Sequence, residues 1–531
     1  MATFDDLLEE AGTFGRCQKR VFAMLCLLSL PLSGVYVGIV FQGFTPDHWC
    51  RDPAVVERRQ ACGWSLTEGR RLTEGLGNRS KSCERYEVDW NKTTLSCDPL
   101  HLNLSKATPC KDGWEYDYDG RKSFVTEFDL VCSDSWYVDM YQAFVNVGFL
   151  AGSFAFGFFA DRFGRRMSFL VSNLLNAVAG MVLAFAPNVI SILMLRAVFG
   201  IGVKGGWMST YVLLTEIVGV DYRRMVGILY QMFLSVGNII LPLLAFYITD
   251  WRWLQVAITA PYILFISFYW FIPESPRWLI SQNNSAKAME ITEAIAKENK
   301  RKLSHFEKLT EEEGDSSASL MDLIRTPNMR KHTLILMFNW FTSAVVYQGL
   351  IMRVGIAGGN VYIDFLISGL VERIPFASAN IVAGAACLIT AMIPDSMFWF
   401  KTVVACIGRL GITMAYEMVV FVNTELYPTF VRNLGVSVCS TLCDIGGIVA
   451  PFLLYRLAAI WLDLPLILFG VVAFIAGGLV LLLPETKGVP LPETIDDIEF
   501  PNKKKTDVTE NQQLKKPLKS DLTNNKDSTT V

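Results

Sequence analysis

The chain is poor in charge. Only 19% of its 531 residues are Asp, Glu, Lys or Arg, against 52% hydrophobic, and the mean hydropathy is +0.33; soluble globular chains carry about 25% charge. With a formal net charge of -3, no global field points to nucleic acid or to an acidic partner. Histidine is scarce as well. The four present, His48, His101, His305 and His332, form no metal-ligand spacing, and no glycine-rich nucleotide loop is evident. No metal, no cofactor, no enzyme and no ATP-driven pump are therefore expected. The first apolar run, Val21 to Phe44, lacks a small-residue cleavage site and is too long for a signal-peptide core. It reads as an uncleaved span, with the lipid bilayer as the chain's solvent.

What is present is unevenly placed. Six of the twelve cysteines, Cys50, Cys62, Cys83, Cys97, Cys110 and Cys132, fall in one polar stretch, as a disulfide-bonded extracellular loop would have them, and fifteen pairings stay open. The same stretch holds glycosylation sequons at Asn78, Asn91 and Asn103. A fourth, at Asn283-Asn284-Ser285, lies in a Lys-rich loop and is expected to be unused.

After that loop, apolar runs at about 137–160, 167–187, 189–218, 225–248 and 253–272 make spans two to six, and runs at about 333–352, 360–372, 376–394, 398–424, 433–460 and 463–483 make seven to twelve. The eighth is short for a bilayer core, which needs about 20 residues per helix. Arg16, Lys19 and Arg20 precede span one, Arg162, Arg165 and Arg166 follow span two, and Arg223 and Arg224 follow span four. By the positive-inside rule both termini are cytoplasmic. The expected organisation is a cytoplasmic N-terminus (1–20), helix 1 (21–43), the extracellular loop (44–136), helices 2–6 (137–272), a cytoplasmic loop (273–332), helices 7–12 (333–483, helix 8 shortened at 360–372) and a cytoplasmic tail (484–531).

The two halves repeat. TEIVGVDYRR places Glu216 seven residues before Arg223, and TELYPTFVRN places Glu425 seven before Arg432. PESPRWL and PETKG follow, with 58 residues from Glu216 to Glu274 and 60 from Glu425 to Glu485. Duplication of a six-helix unit gives an all-α membrane protein with the layout of the major facilitator fold, nominally twelve transmembrane helices and a substrate cavity between the halves. One element is missing from the copy. Spans two and three are joined by GFFADRFGRRMS, whereas spans eight and nine have only Glu372-Arg373-Ile374-Pro375 between them.

The set GFFADRFGRR, TEIVGVDYRR, PESPRWLI, GRLGITMAYE, NTELYPTFVRN, CDIGGIVAP and LLLPETKG resembles the organic ion transporters of the major facilitator superfamily, and in detail the organic cation transporters. The resemblance runs from FDDLLEEAG (4–12) to LPETIDD (491–497). It implies facilitative, polyspecific transport of small organic cations, including quaternary amines and monoamines, across the plasma membrane. In that family the eighth helix continues past the acid matching Glu372 into a second Arg-rich turn. Here that segment is lacking, and a non-transporting or retained isoform is the rival expectation. A carrier of organic anions or of zwitterions such as carnitine is the other.

An ionisable residue inside a span costs about 2.5–3.5 kcal/mol, so each needs a partner or a function. Asp444, within STLCDIGGIVAPFLL, either holds a cationic substrate or pairs with a basic residue of a neighbouring span such as Lys204. The resemblance favours the substrate, and it matches Glu372 to a second acid. Tyr36, Trp207, Tyr211, Trp340 and Tyr347 are candidate walls of a cation cage, with Gln231 a polar candidate; each aromatic is equally a packing residue. Arg196, Arg409 and Glu417 read as structural or gating groups. Asp161, Arg165, Glu216, Arg223, Glu425 and Arg432 read as an ion-pair network at a cytoplasmic gate. The Lys-rich tail ends Ser528-Thr529-Thr530-Val531, the form of a PDZ-domain ligand. Homo-oligomerisation is left open.

Overall fold

The computed structural model describes residues 4–65, 83–86, 107–117, 120–282, 284–301, 320–354, 376–394, 397–428, 432–484 and 498–499. Every expected span except the eighth falls among them. Span eight with Glu372, the sequon residues Asn78, Asn91 and Asn103, and the tail from Pro501 lie outside the described residues.

Span one is two helices, Arg16–Leu27 and Ser29–Gln42, because Pro31 has no N–H to continue the ladder. Serine hydroxyls take up the carbonyls nearby: Ser29 Oγ donates to Cys26 O at 2.7 Å and Ser33 Oγ to Leu30 O at 2.9 Å. Spans two to six are Trp136–Phe163, Arg165–Ala184, Val189–Ile217, Val220–Tyr247 and Trp251–Ile266. Span seven is Pro327–Val354, and spans nine to twelve are Phe376–Met392, Phe398–Leu426, Arg432–Ile460 and Leu464–Val480. In lipid there is little hydrophobic drive between helices, so close packing decides which ones meet. A Cβ on Gly148 of span two would lie 2.2 Å from Ala197 O, and one on Gly200 of span four 2.4 Å from Val145 O. These two helices touch backbone to backbone only because both positions lack a side chain.

The repeat seen in the sequence recurs as packing. Span one lies on five as seven lies on eleven, three on four as nine on ten, and three on six as nine on twelve. The halves meet where span two packs on eleven and span one on seven.

The long loop forms four short strands that an all-α reading did not foresee: β1 (His48–Cys50), β2 (Glu84–Tyr86), β3 (Ala107–Pro109) and β4 (Trp114–Tyr116). β1 pairs antiparallel with β4, and β2 with β3. Disulfides Cys50–Cys110 and Cys83–Cys132 hold them, with Cα atoms 5.2 and 5.8 Å apart. Cys62 is also disulfide-bonded, and Cys97 lies outside the described residues. His48 comes close to Cys83 and Cys132, but a disulfide offers no thiolate to a metal.

On the opposite, arginine-rich face the N-terminal segment and the central loop are one packed unit. Asn299 donates from Nδ2 to Ala11 O and Gln18 Oε1, both at 2.9 Å, and its Oδ1 accepts from Cys17 N at 3.0 Å. Arg20 binds Glu298 through two hydrogen bonds of 2.9 Å, and Phe14 stacks on Tyr222. Asn284 caps the helix Ser285–Glu298, accepting from Lys287 N at 3.3 Å.

The disulfide-bearing loop is fastened to the bundle by Glu127, whose carboxylate accepts from Trp251 Nε1 at 2.7 Å and pairs with the Arg252 guanidinium at 2.5 Å. Phe124, one turn earlier, stacks on Tyr141 of span two at 4.5 Å. Burial works to raise the Glu127 carboxyl, but hydrogen bonds from Arg252 and Trp251 outweigh it and hold it below its ordinary value. A carboxyl titrating lower in the native state stabilises above the unfolded carboxylate range, and that contribution disappears as pH falls through the lowered native value. Glu127→Gln is therefore expected to lower stability by about 1 kcal/mol at pH 7, the scale of a half-exposed ion pair. The difference from the parent should vanish in thermal melts at acid pH; a difference independent of pH would contradict the assignment.

Candidate functional site

Span four is apolar enough to cross the bilayer yet carries Lys204, and span eleven carries Asp444. Their ends meet across the boundary between the halves: Lys204 Nζ lies 2.9 Å from Asp444 Oδ1 and 3.1 Å from Oδ2. Ser153 of span two donates a 3.3 Å hydrogen bond to the same Oδ2. The Asp444 side chain is 4% exposed and that of Lys204 12%, so the pair is shielded from bulk solvent. Gly446 and Gly447 make the approach feasible. A Cβ on Gly446 would sit 2.8 Å from Phe341 O of span seven, and one on Gly447 2.7 Å from Asn146 Oδ1 of span two. Span eleven is thus wedged between two neighbours, and Asp444 is turned toward the opposite half.

Aromatic rings surround the pair from both sides. Lys204 Nζ is 5.9 Å from the Phe149 ring centroid and 5.8 Å from that of Trp207. Tyr36 packs on Phe149 at 5.3 Å, and Trp207 stacks on Tyr211 at 5.9 Å. In the second half, Tyr347 stacks on Tyr416 at 5.8 Å, and Trp340 meets Tyr416 edge-on at 5.9 Å. The Tyr416 hydroxyl lies 3.5 Å from Cys443 Sγ. Tyr36 is close enough to interact electrostatically with Asp444, Cys443 and Tyr347. One carboxylate within a bracket of faces is an arrangement suited to an organic cation.

The structure therefore gathers Asp444, Tyr36, Trp207, Tyr211, Trp340 and Tyr347. Gln231 is half-buried on span five and shares no hydrogen bond or ring contact with this group among the described residues. Phe149, Ser153 and Tyr416 belong to the site but were not singled out from sequence. Trp340 and Tyr347 repeat at seven residues on span seven, but nothing in the apolar run of span ten marks the face on which Tyr416 stands. Arg196 is fully buried in span four, donating from Nη2 to Val35 O at 2.9 Å with its guanidinium 4.4 Å over Tyr141. Arg409 is buried in span ten. A small cavity beside Trp207, lined by Asn173, Asn176, Tyr230 and Tyr262, lies within the first half, away from Asp444.

The motif charges on the arginine-rich face form a clasp inside the first half. Arg165 bonds both oxygens of Glu216 at 3.2 Å and Asp161 Oδ1 at 3.0 Å. Glu274 of PESPRWL caps span three, its Oε1 accepting from Arg165 N at 3.0 Å and Arg166 N at 3.1 Å. Burial raises the Glu274 carboxyl above its ordinary value, against the lowering effect of backbone N–H bonds from Ser275, Arg166 and Arg165. Gly164 turns the corner at φ +99°, and a Cβ there would lie 2.5 Å from Glu274 Oε2. Arg223 donates from Nε to Thr215 O at 3.0 Å and Val218 O at 3.3 Å. The side chains of Glu417, Glu425 and Arg432 lie outside the described residues.

A family model described as "Sugar (and other) transporter" matches residues 114–356. "Solute carrier family 22 member 2" of Mus musculus is 52% identical over 543 residues, covering 95% of this chain and 98% of the relative; that of Homo sapiens is 50% identical, covering 97% and 99%. "Solute carrier family 22 member 3" of Mus musculus is 49% identical, covering 94% and 96%. The segments MFNWFTSAVVYQGLIMRVGIAGGN (337–360) and VTEFDLVC (125–132) resemble organic cation transporter 3, the extraneuronal monoamine transporter. Among solved structures, a D-xylose-proton symporter aligns with a TM-score of 0.51 at 16% identity, over 68% of this chain and 90% of its own. The proton:xylose symporter XylE bound to 6-bromo-6-deoxy-D-glucose aligns with a TM-score of 0.51 at 14% identity, over 90% and 98%. At that identity the likeness shows the major facilitator fold alone.

Removing one partner of a buried ion pair strands the other charge, whereas removing both does not. Lys204→Met and Asp444→Asn are therefore each expected to destabilise the purified protein, and the double variant to recover part of the loss. The coupling should be on the order of 1–3 kcal/mol in a thermal double-mutant cycle. Additive effects would show that the contact carries no energy.

Proposed function

The chain belongs to solute carrier family 22, among its organic cation transporters, and we propose that it moves small organic cations, monoamines among them, down their electrochemical gradient by alternating access of its two halves. It is a multi-pass membrane transporter; the finer reading rests on one observation, the Asp444 carboxylate bracketed by aromatic rings and neutralised by Lys204 from the other half. The ammonium of Lys204 stands where a substrate cation would. An arriving quaternary or protonated amine takes its place on Asp444, and Lys204 withdraws toward the faces of Phe149 and Trp207. When substrate leaves, Lys204 returns, so the empty carrier never holds a bare buried carboxylate. Tyr36, Tyr347, Tyr416 and Trp340 supply broad, direction-poor contact, which favours polyspecificity over recognition of a single shape.

The disulfide face is read as extracellular and the arginine-rich face, with both termini, as cytoplasmic, in keeping with basic residues retained inside and disulfides formed outside. The locale is the plasma membrane. Each cycle moves one positive charge, so a membrane potential of roughly 60 mV supports about tenfold accumulation without a coupled ion. The clasp of Asp161, Arg165, Glu216 and Glu274 keeps the first half rigid during the motion.

A second reading is favoured by the 35 residues from Asn360 to Pro394, fewer than two spans of about 20 residues and a turn need. On that reading the chain is a non-transporting isoform retained inside the cell. Uptake of a labelled quaternary amine, measured with surface biotinylation, decides between the two. Transport predicts both signals, loss of uptake in Asp444→Asn, and a fall in accumulation of about tenfold per 60 mV of depolarisation. A retained chain gives neither signal, and uptake indifferent to Asp444→Asn or to potential would defeat the mechanism.

The terminal Thr529-Thr530-Val531 is proposed to engage a PDZ domain by strand addition, in which the last side chain fills a pocket. Deleting Val531 should abolish capture in a pull-down; unchanged capture would remove the proposal.

A further inference from the structure

Span two carries a polar stripe at a seven-residue interval, Asp139, Asn146 and Ser153, which on a helix lies along one face. Each member meets span eleven of the other half at a different depth. Ser153 reaches Asp444. Asn146 Nδ2 donates to Gly447 O at 2.9 Å, with the amide lying where a Cβ on Gly447 would be. Asp139, near the disulfide face, lies 3.6 Å from Arg456 Nη2. The exposures of this last pair are unequal: the Asp139 side chain is 4% exposed and that of Arg456 60%. The carboxylate is enclosed by the bundle, while the guanidinium reaches it from the surface.

We propose that Asp139 and Arg456 form the outer latch of the carrier, closed in this conformation, with the Asn146–Gly447 contact as the pivot about which the halves rock. The inference rests on alternating access and goes beyond it by naming the groups that close the outer side. Three features carry it. The pair is an ion pair between halves, so it must break if they separate at the disulfide face. Its basic member is 60% exposed and so loses little on release, and the buried Asp139 is rehydrated by the same opening of the mouth that takes Arg456 away. The contact below it is one amide side chain resting on a glycine through a single hydrogen bond, which tolerates tilting better than an interlocked side-chain layer does. Once the latch opens, Asp139 is left facing the outer mouth as a carboxylate without its guanidinium. Arg456 swings with span eleven, which also bears Asp444, so opening the mouth and moving the substrate carboxylate are one motion. In the first half the clasp joins spans two, three and four and the segment after span six, so Asp139 moves with a rigid block.

The test uses the purified full-length chain in lipid nanodiscs, spin-labelled at Ser135→Cys and Trp461→Cys on the disulfide face in a Cys443→Ser background. Double electron–electron resonance then reads the width of the outer mouth. Arg456→Gln and Asp139→Asn are each expected to add a longer-distance population that the parent lacks or holds only weakly. Distance distributions superimposable on the parent in both variants would overturn the latch. Because the readout needs neither uptake nor delivery to the cell surface, it separates failure of the latch from failure of the transport reading. A carrier that moves no amine still reports whether its outer mouth is held by this pair.

Discussion

A carboxylate buried between two halves of a membrane protein must always have a cation, and that requirement organises the rest of the molecule. Asp444 on its own would cost about 2.5–3.5 kcal/mol at mid-bilayer on insertion scales, so separating the halves without replacing Lys204 is unfavourable. The same contact that joins the halves therefore makes their separation conditional on a substitute cation or on water. Glycines at 446 and 447 place the acid at the boundary, Ser153 fixes one of its oxygens, and the aromatic rings keep the surroundings poor in competing hydrogen bonds. Remove the constraint and neither the glycine pair nor the ring bracket has a reason to be where it is.

Electrostatics elsewhere divides by role. On the arginine-rich face the described ion pairs stay within the first half: Arg165 gathers Asp161 and Glu216, and the backbone at Arg165 and Arg166 gathers Glu274. Such bonds stiffen a block. Among the described residues the polar contacts across the halves are few and graded with depth, an ion pair at Asp139, a single amide at Asn146 and the shielded pair at Asp444. Rigid blocks joined by few, separable contacts are what rigid-body rocking about a central site needs.

Much of this was legible in the sequence, and the limits have physical causes. Spans, order and duplication follow from long apolar runs and from Glu216/Arg223 recurring as Glu425/Arg432, because hydropathy and motif spacing are one-dimensional. Whether Asp444 met Lys204 was not decidable, since an apolar span shows no periodicity that fixes its rotation about its own axis. Tyr416 and Phe149 escaped for the same reason. Asp139 escaped because an acid near the end of a span looks like an interfacial residue. The role of Glu274 within PESPRWL is a cap on a helix more than a hundred residues earlier, and no local pattern carries such a distance. The strands of the disulfide loop are three residues each, too short for alternation to show.

The geometry of the first-half clasp also defines what the second half gives up. The second half retains the two acids, Glu425 and Glu485, at nearly the same interval as Glu216 and Glu274. In the first half those acids are received by a guanidinium at Arg165 and by two backbone N–H groups at the start of span three. Ahead of span nine, which begins at Phe376, the sequence offers a single Arg373 and then Ile374-Pro375. Proline has no N–H to give and bars helical geometry at the residue before it. The arginine-rich turn that receives the acids is therefore not repeated in the sequence even though the acids are. Span seven obtains its N-terminal cap elsewhere, from Glu499, whose Oε1 accepts from Asn328 N at 2.9 Å. Two halves that share packing thus differ in sequence at this point: the first carries the arginine turn that locks its arginine-rich face, and the second has no such turn before span nine.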